Sequence, residues 1–497
     1  MALPALRCAP AVPDLLPLNA PPAARRLVAL IALGLAGCAA VGPDYRAPAP
    51  AVPAGWSRID APLVHAAAPG DLRHWWRGLN DPLLSGLVEQ ALLASPDLRS
   101  AQARLREARA RRALAAAGRL PSVTGSGSAR RSDSSAESGS GAARNLFSAG
   151  LDASWELDVF GGVRRGIEAA EADLQSSQAS LHDTQVSLAA EVALNYVEVR
   201  ALQTRLGIAR DNLASQSETL QLTDWRAQAG LVGNQDVEQA RSNQALTRAQ
   251  IPSLETSLAE AEHRLAILLG MAPGTLHARL ADAAGVPAMP ARIAVGIPAD
   301  TLRQRPDVRV AERRLAAQTA RVGAAEAARY PGFSLAGSIG LEALTLGALG
   351  NGGAGTASLF AGVTAPLFDA GRLRTQVEIQ DALREQAQVA YEQTVLNALE
   401  EVENALVALA RNREREQALT ESAAAARNAA LLARQRYSAG LIDFQSVLDT
   451  ERSVLSVEDS LASTRADGVL ALIRLYKALG GGWSPSGAIP PAGKDAP

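Results

Sequence analysis

The sequence predicts a mainly α-helical chain with a membrane β-barrel portion: two tandem repeats that together supply long antiparallel coiled-coil helices and four strands. Three observations predict it. Residue n set beside residue n+210 aligns Arg226, Ala229, Gly230, Leu231, Gln235 and Val237 with Arg436, Ala439, Gly440, Leu441, Gln445 and Val447 without a gap. No proline interrupts roughly 65 residues from Gly162 to about Arg226, or again from Arg372 to about Arg436, and a helix of that length extends about 95 Å. Four short segments of alternating apolar and Ser, Thr or Gly residues hold, in or beside them, five of the six phenylalanines together with Trp155 and Tyr330. Such placement suits aromatic belts at a membrane interface, with an ordinary soluble hairpin as the competing reading.

The totals exclude several function classes. Formal charge is −2, so no general basic field recruits nucleic acid or anionic lipid. The two cysteines, Cys8 and Cys38, belong to no CxxC or His/Cys cluster, so neither a disulfide framework nor a zinc site is expected. His65, His74, His182, His263 and His277 show no ligand spacing, and the glycine clusters near 125 and 350 lack the lysine of a phosphate loop. With no Ser/His/Asp set either, the chain reads as a non-enzyme without a metal.

Taken in order, residues 1–37 read as a lipoprotein signal peptide. Arg25-Arg26, the apolar run Leu27 to Ala36, and Gly37 directly before Cys38 resemble a lipobox, with Cys38 carrying covalent lipid. The run is too short to span a bilayer, and Ala39, where a retention signal has Asp, fits the outer membrane. An ordinary secretory signal with a chance cysteine is the competing reading. Residues 38–94 form an extended linker and an equatorial start, rich in Pro and Ala to about Gly70, before Asp81-Pro82-Leu83-Leu84 opens a short helix.

Repeat 1 covers 95–270 and repeat 2 covers 305–480. Ser95-Pro96-Asp97 and Arg305-Pro306-Asp307 open helices, Ser95 as a cap and the aspartates at the positive helix end; these helices run to about Arg119 and Arg329. Pro121 and Pro331 end them. Strands are expected at about 121–131 and 147–159, then 331–341 and 359–368, around polar loops at 132–144 and 347–355. After each long helix and its glycine turn, return helices run from about Gln235 to Leu269 and from about Phe444 to Leu479. Val395, Leu399, Val402, Leu406 and Leu409 recur at spacings of four and three, a coiled-coil seam continued by Val469, Leu472, Tyr476 and Leu479. Pro252 should kink or break the first return helix, since its counterpart is Ala462. Residues 271–304 read as an irregular equatorial connection, and 481–497 as a disordered tail.

Four strands cannot close a barrel, and an open edge in lipid leaves backbone groups unpaired, so chains must share one. Two chains supply eight strands and three supply twelve; strand arithmetic permits either.

The lipobox, VGPDYRAP at 41–48, HWWRGLNDPLL at 74–84, SPDL at 95–98, the two RxxAGL turns and the paired helix ends at Arg264 to Gly270 and Arg474 to Gly480 resemble the outer-membrane efflux family of TolC and OprM. The resemblance is to its lipoprotein branch and covers nearly the whole chain from Arg25 to Gly482. It implies a homotrimer with a twelve-stranded barrel in outer-membrane lipid and a periplasmic α-helical tunnel. It also implies a passive exit duct for small molecules such as drugs, served by an inner-membrane RND-type pump through a periplasmic adaptor (membrane fusion) protein. The turns would lie at the periplasmic tip, with Arg226, Ala229, Gly230, Leu231, Arg436, Ala439, Gly440 and Leu441 meeting the adaptor in addition to reversing the chain.

A gate on the second return helix is implied at Gln445, Asp449 and Arg452, which share one helix face. Three copies of Asp449 would form a ring that attracts cations, held shut by partners such as Arg452. Ser446 stands where TolC has a second aspartate, so the gate resembles the OprM type; a plain solvated helix surface is the competing reading. Two rival functions remain: a type I protein-secretion duct, and a periplasmic coiled-coil adaptor. An adaptor should carry a lipoyl-like β domain between its helices, which this sequence lacks.

Overall fold

The structure is a computed structural model and describes residues 40–57, 64–66, 72–133, 135, 137, 143–282, 284–290 and 292–483. Cys38, the signal segment before it and all but the first three residues of the expected tail lie outside the described residues. In chain order the elements are β1 (Val64–Ala66), a 3-10 segment (Leu72–Leu79), α1 (Pro82–Ala94), α2 (Pro96–Ala117), β2 (Ser122–Ser132), β3 (Arg144–Leu157), α3 (Gly162–Gln228) and α4 (Asn234–Leu268). They continue with α5 (His277–Leu280), β4 (Ile293–Val295), α6 (Pro298–Gln304), α7 (Pro306–Ala327), β5 (Gly332–Ala343), a 3-10 turn (Leu346–Ala348), β6 (Gly355–Thr364), α8 (Arg372–Ser438) and α9 (Phe444–Ala478). The chain divides into two compact units. Of the described residues, one unit holds those up to Tyr45 with those in Leu114–Ala169 and Thr319–Ala382; the other holds those in Arg46–Ala113, Ala170–Gln318 and from Leu383 to Trp483.

The first unit is organised by an antiparallel sheet of order β2-β3-β5-β6. Side chains alternate across a strand, so register decides which residues share a face. Val123, Leu151, Trp155, Phe333, Leu335, Ile339, Leu359 and Val363 fall on one face through the pairs Val123↔Ala153, Leu151↔Ile339, Trp155↔Leu335 and Phe333↔Val363. The other face carries hydroxyls joined across strands: Ser122 to Ser154 at 2.8 Å, Ser128 to Ser148 at 2.8 Å and Ser338 to Ser358 at 2.7 Å. The apolar face is bare, with Val123 64%, Ile339 64% and Leu359 80% exposed. An apolar face without cover, backed by a polar one, is the pattern of a barrel wall between lipid and water.

Two strand boundaries differ from expectation. β6 spans 355–364 instead of 359–368: Gly355 to Ala357 continue the ladder opposite Leu341 to Ile339, and Pro366, which has no N–H, lies beyond its end. β3 begins at Arg144, because Arg144 and Asn145 pair with Ser132 and Arg131 although their side chains carry no strand signal.

Each long helix begins at a glycine in the left-handed region, Gly161 at φ 85° and Gly371 at φ 87°. Carboxylates satisfy the free N–H groups of the first turns: Asp158 accepts from the N–H of Val163 and Arg164 (3.0 and 2.8 Å), and Asp369 from Gly371 and Leu373 (3.0 and 2.9 Å). Both helices then run for 67 residues.

In the second unit Trp76, Leu84, Leu87 and Val88 join Val192, Tyr196 and Val199 of α3, Leu265 of α4, and Leu472 and Leu475 of α9 in one apolar core. Most of the predicted seam is in it: Val402, Leu406 and Leu409 of α8 and Val469, Leu472 and Leu479 are buried, with Leu399 and Tyr476 partly so. Asp81 caps α1 through Leu84 N at 2.9 Å and accepts the Tyr196 hydroxyl at 2.6 Å; burial first, then this hydrogen bond, pushes the phenol up to about 12.

Three expectations fail here. The break expected at Pro252 as the alternative to a kink is absent: α4 continues through Pro252, which lies on an exposed stretch where water can meet the carbonyl that proline leaves free. The Ser95 hydroxyl is buried and finds no partner among the described residues, so it does not cap α2. The connection expected to be irregular contains α5, α6 and β4, and β4 pairs in parallel with β1, Val64 opposite Ile293.

Candidate functional site

The two glycine turns close α3 and α8 in the same way. Gly230 (φ 73°) and Gly440 (φ 76°) occupy the left-handed region that favours glycine. Leu231 N–H donates to the Arg226 carbonyl and Leu441 N–H to the Arg436 carbonyl, both at 2.8 Å, while the glycine N–H groups donate to Ala227 and Tyr437, both at 2.9 Å. This is a Schellman closure, which satisfies the last helix carbonyls with no help from a partner. The leucine after each glycine is left bare, Leu231 at 67% and Leu441 at 68% exposure. Ala229 and Ala439 are exposed too.

The equivalent arginines do different things. Arg226 lies over the Tyr437 ring, 4.5 Å from its centroid, and its Nη1 donates to the Tyr437 carbonyl. It ties the end of α3 to the end of α8. Arg436 is exposed. Tyr437 is buried in a small cluster with Ala433, Phe444, Val447 and Leu448, its ring edge-on to Phe444 at 5.8 Å. The first repeat has Ala227 at the matching position, so only the second turn owns this aromatic anchor.

Gln445, Asp449 and Arg452 all project from the exposed face of α9. Gln445 Nε2 donates to Asp449 Oδ1 at 2.9 Å, which fixes the carboxylate along the helix. Arg452 does not turn to Asp449 within the chain; its Nε donates to Asn243 Oδ1 of α4 at 3.1 Å. Asp443 caps α9 by accepting from the hydroxyl and the N–H of Ser446 at 2.6 and 3.0 Å, and those bonds hold its carboxyl below the ordinary range.

One residue of this region escaped sequence reading. Glu451 is 3% exposed; its Oε1 accepts from the Thr219 hydroxyl of α3 at 2.6 Å and from Arg434 Nε of α8 at 3.1 Å. Burial raises its pKa, and the Thr219 and Arg434 contacts pull it back. The signal was available: Glu451 falls four residues after the buried Val447, where the seam calls for an apolar side chain.

Comparison with known proteins places this geometry. The sequence profile named "Outer membrane efflux protein" matches residues 87–271 and 297–481, two segments whose limits are themselves 210 residues apart. The chain belongs to the outer membrane efflux protein family. Nodulation protein T of Rhizobium leguminosarum bv. trifolii, a relative, is 34% identical over 91% of this chain and 96% of its own length. The pyoverdine export outer membrane protein OpmQ of Pseudomonas putida is also 34% identical, over 91% of this chain and 96% of that protein. The solved outer-membrane channel OprN superposes with a TM-score of 0.85 at 38% identity, covering 89% of this chain and 99% of that one. As a member of this family the chain is an efflux channel of the outer membrane.

Proposed function

We propose that the chain is the passive exit duct of a tripartite efflux system, acting as a homotrimer whose three sheets close a twelve-stranded barrel. The observation that carries this reading is the four-stranded sheet with one bare apolar face, one hydroxyl-lined face and two outer strands each paired on one side only. Unpaired strand edges are costly in lipid, and other copies of the chain can supply the missing partners.

Cys38 would carry the lipid anchor. Support comes from the segment that follows it: Val41 N–H donates to the Phe160 carbonyl at 3.1 Å, and the buried Arg165 donates to Val41 O, Gly42 O and Asp44 Oδ1 at 3.1, 3.2 and 2.8 Å. Ala40 packs so closely on Gly161 that a Cβ there would lie 2.6 Å from the alanine Cβ. Two residues of chain reach about 7 Å, so lipid on Cys38 would enter the membrane beside the strand-to-helix junction.

The paired turns, with their bare leucines and exposed alanines, would receive the hairpins of a periplasmic adaptor that links the duct to an inner-membrane RND-type pump. Gln445, Asp449 and Arg452 would narrow the tunnel near this end. The duct has no energy source of its own. Its cargo would be small molecules chosen by the pump, a reading supported by the range of relatives, named for pyoverdine export, cation efflux and toluene efflux. Deleting the gene should raise accumulation of dyes and antibiotics, and restoring the wild-type chain should reverse it. Unchanged accumulation across antibiotics, dyes and metals would defeat the reading.

A further inference from the structure

We propose that the hydroxyl-lined face of the sheet carries, at the end where the strands give way to the long helices, a binding station for flat aromatic cations in transit. This rests on the duct proposed for the chain and adds a substrate class to it. A cavity of about 720 Å³ lies there, of a size that takes a drug-like molecule. All of its walls belong to the first unit: the end of β3 and start of α3, the end of α7 and start of β5, and the end of β6 and start of α8. Register decides which side of the sheet it opens on. Glu156, opposite Ser334, and Gly332, opposite Thr364, share the face of the serine pairs Ser122–Ser154 and Ser338–Ser358. Of the four strand residues in the cavity wall, Glu156, Gly332 and Thr364 are of this face and Leu157 alone is of the other. In a barrel the hydroxyl-lined face is the water side, along which cargo passes.

The walls supply what such a cation needs. Phe160 and Tyr330 stack at 4.6 Å, and Tyr330 stays 41% exposed, so a third flat ring can extend the stack. The α7 end contributes Ala324, Ala327 and Ala328, small side chains that take little of the space. Three charged residues line the cavity, and two are already balanced: Asp158 by Arg164 at 3.3 Å, and Arg372 by the carboxylate of Asp369, three residues earlier in the chain. Glu156 is exposed and has no hydrogen bond or ion pair among the described residues. The uncompensated charge is therefore one carboxylate in the same cavity as an aromatic pair, which attracts a cation through both the charge and the ring faces. The other repeat has nothing equivalent: Pro366, Ala370 and Leu120 stand 210 residues from Glu156, Phe160 and Tyr330. The station is thus present once per chain. Glu156 and Thr364 are open to water, so binding is weak, and a weak site holds cargo without trapping it.

Ethidium, a planar aromatic cation, is the probe, measured by equilibrium dialysis against the full-length protein in lipid nanodiscs with empty nanodiscs subtracted. The wild type is expected to bind it saturably, one per chain, and to bind fluorescein, a planar anion, and tetraethylammonium, a cation without rings, far less. Glu156→Gln should weaken ethidium about fivefold, the upper range for an exposed ion pair. Tyr330→Ala should do the same and Tyr330→Phe should restore binding, since the ring face and not the hydroxyl makes the contact. Glu342→Gln, the same charge change on the same face at Ser148, should leave binding unchanged. Equal weakening from Glu342→Gln assigns the binding to the general field of the water face and overturns the station, as does undiminished binding by Glu156→Gln. Equal binding of fluorescein overturns the preference for cations. Dye efflux in the deletion strain tests the duct separately: a wild-type chain that restores efflux but binds no ethidium overturns the station and leaves the duct standing, whereas a chain that restores no efflux defeats the duct as well.

Discussion

The two glycine turns share a backbone and differ in what their side chains hold. Both close with the same pair of hydrogen bonds and the same positive φ, and both present a bare leucine. Yet Arg226 grips the other turn through Tyr437, while Arg436 is exposed on the surface. Asp449 and Arg452 stand on the second repeat, where the first has Gln239 and Ser242. Duplication preserved the geometry that reverses the chain. Divergence loaded the second copy with an aromatic anchor and the charged face.

The sharpest way to break this comparison is Tyr437→Ala, which empties the tip cluster and removes the platform under Arg226. A loss of about 3 kcal/mol in local stability is expected, read as faster amide exchange at the ends of both α3 and α8. Arg226→Ala should cost about 1–2 kcal/mol by the same readout, from the ring contact and the charged hydrogen bond. Arg436→Ala should leave exchange unchanged and weaken adaptor binding instead; equal exchange effects from the two arginines would show that the turns are equivalent after all. Gly230→Ala and Gly440→Ala should each cost about 1 kcal/mol, because both force a Cβ into the left-handed region. A clear difference between them would mean that one turn relaxes more easily than the other.

The smallest effect concerns Glu451, faced by Arg434 of α8 and Thr219 of α3. Its raised pKa means that the folded tip binds the proton better than the unfolded chain does. The associated stability is present below the ordinary carboxylate range and is lost as pH rises through the raised value. Glu451→Gln should therefore flatten the pH dependence of tip exchange just above the ordinary glutamate range, and an unchanged slope would assign that dependence to another group.

Much of this architecture was legible in the chain, because a duplicated sequence reads itself. Matching Gly230 to Gly440 and Pro121 to Pro331 set the repeat, and proline-free runs marked the long helices to within about two residues at each end. What escaped has physical reasons. β1 and β4 are three residues long, too short for an alternating pattern, and they pair across more than two hundred residues of sequence. Gly355 to Ala357 form strand by backbone pairing with β5, and the single β-branched Thr356 between a glycine and an alanine makes no alternating pattern to announce it. Pro252 looked like a breaker because proline removes a helix hydrogen bond, but at an exposed position water replaces what is lost. For the tip, the turn residues were readable from spacing, whereas the Arg226–Tyr437 contact joins helix ends that only folding brings together. Glu451 hid in plain sight as a charged residue at a seam position.

Planar-bilayer conductance of the purified wild-type protein, Asp449→Ala and Gln239→Ala tests the central claim, a membrane duct gated by its second repeat, most directly. The account predicts a small wild-type conductance, a severalfold increase for Asp449→Ala, and no change for Gln239→Ala at the matching first-repeat position. No channel activity from any of the three, or equal increases from both variants, would contradict it.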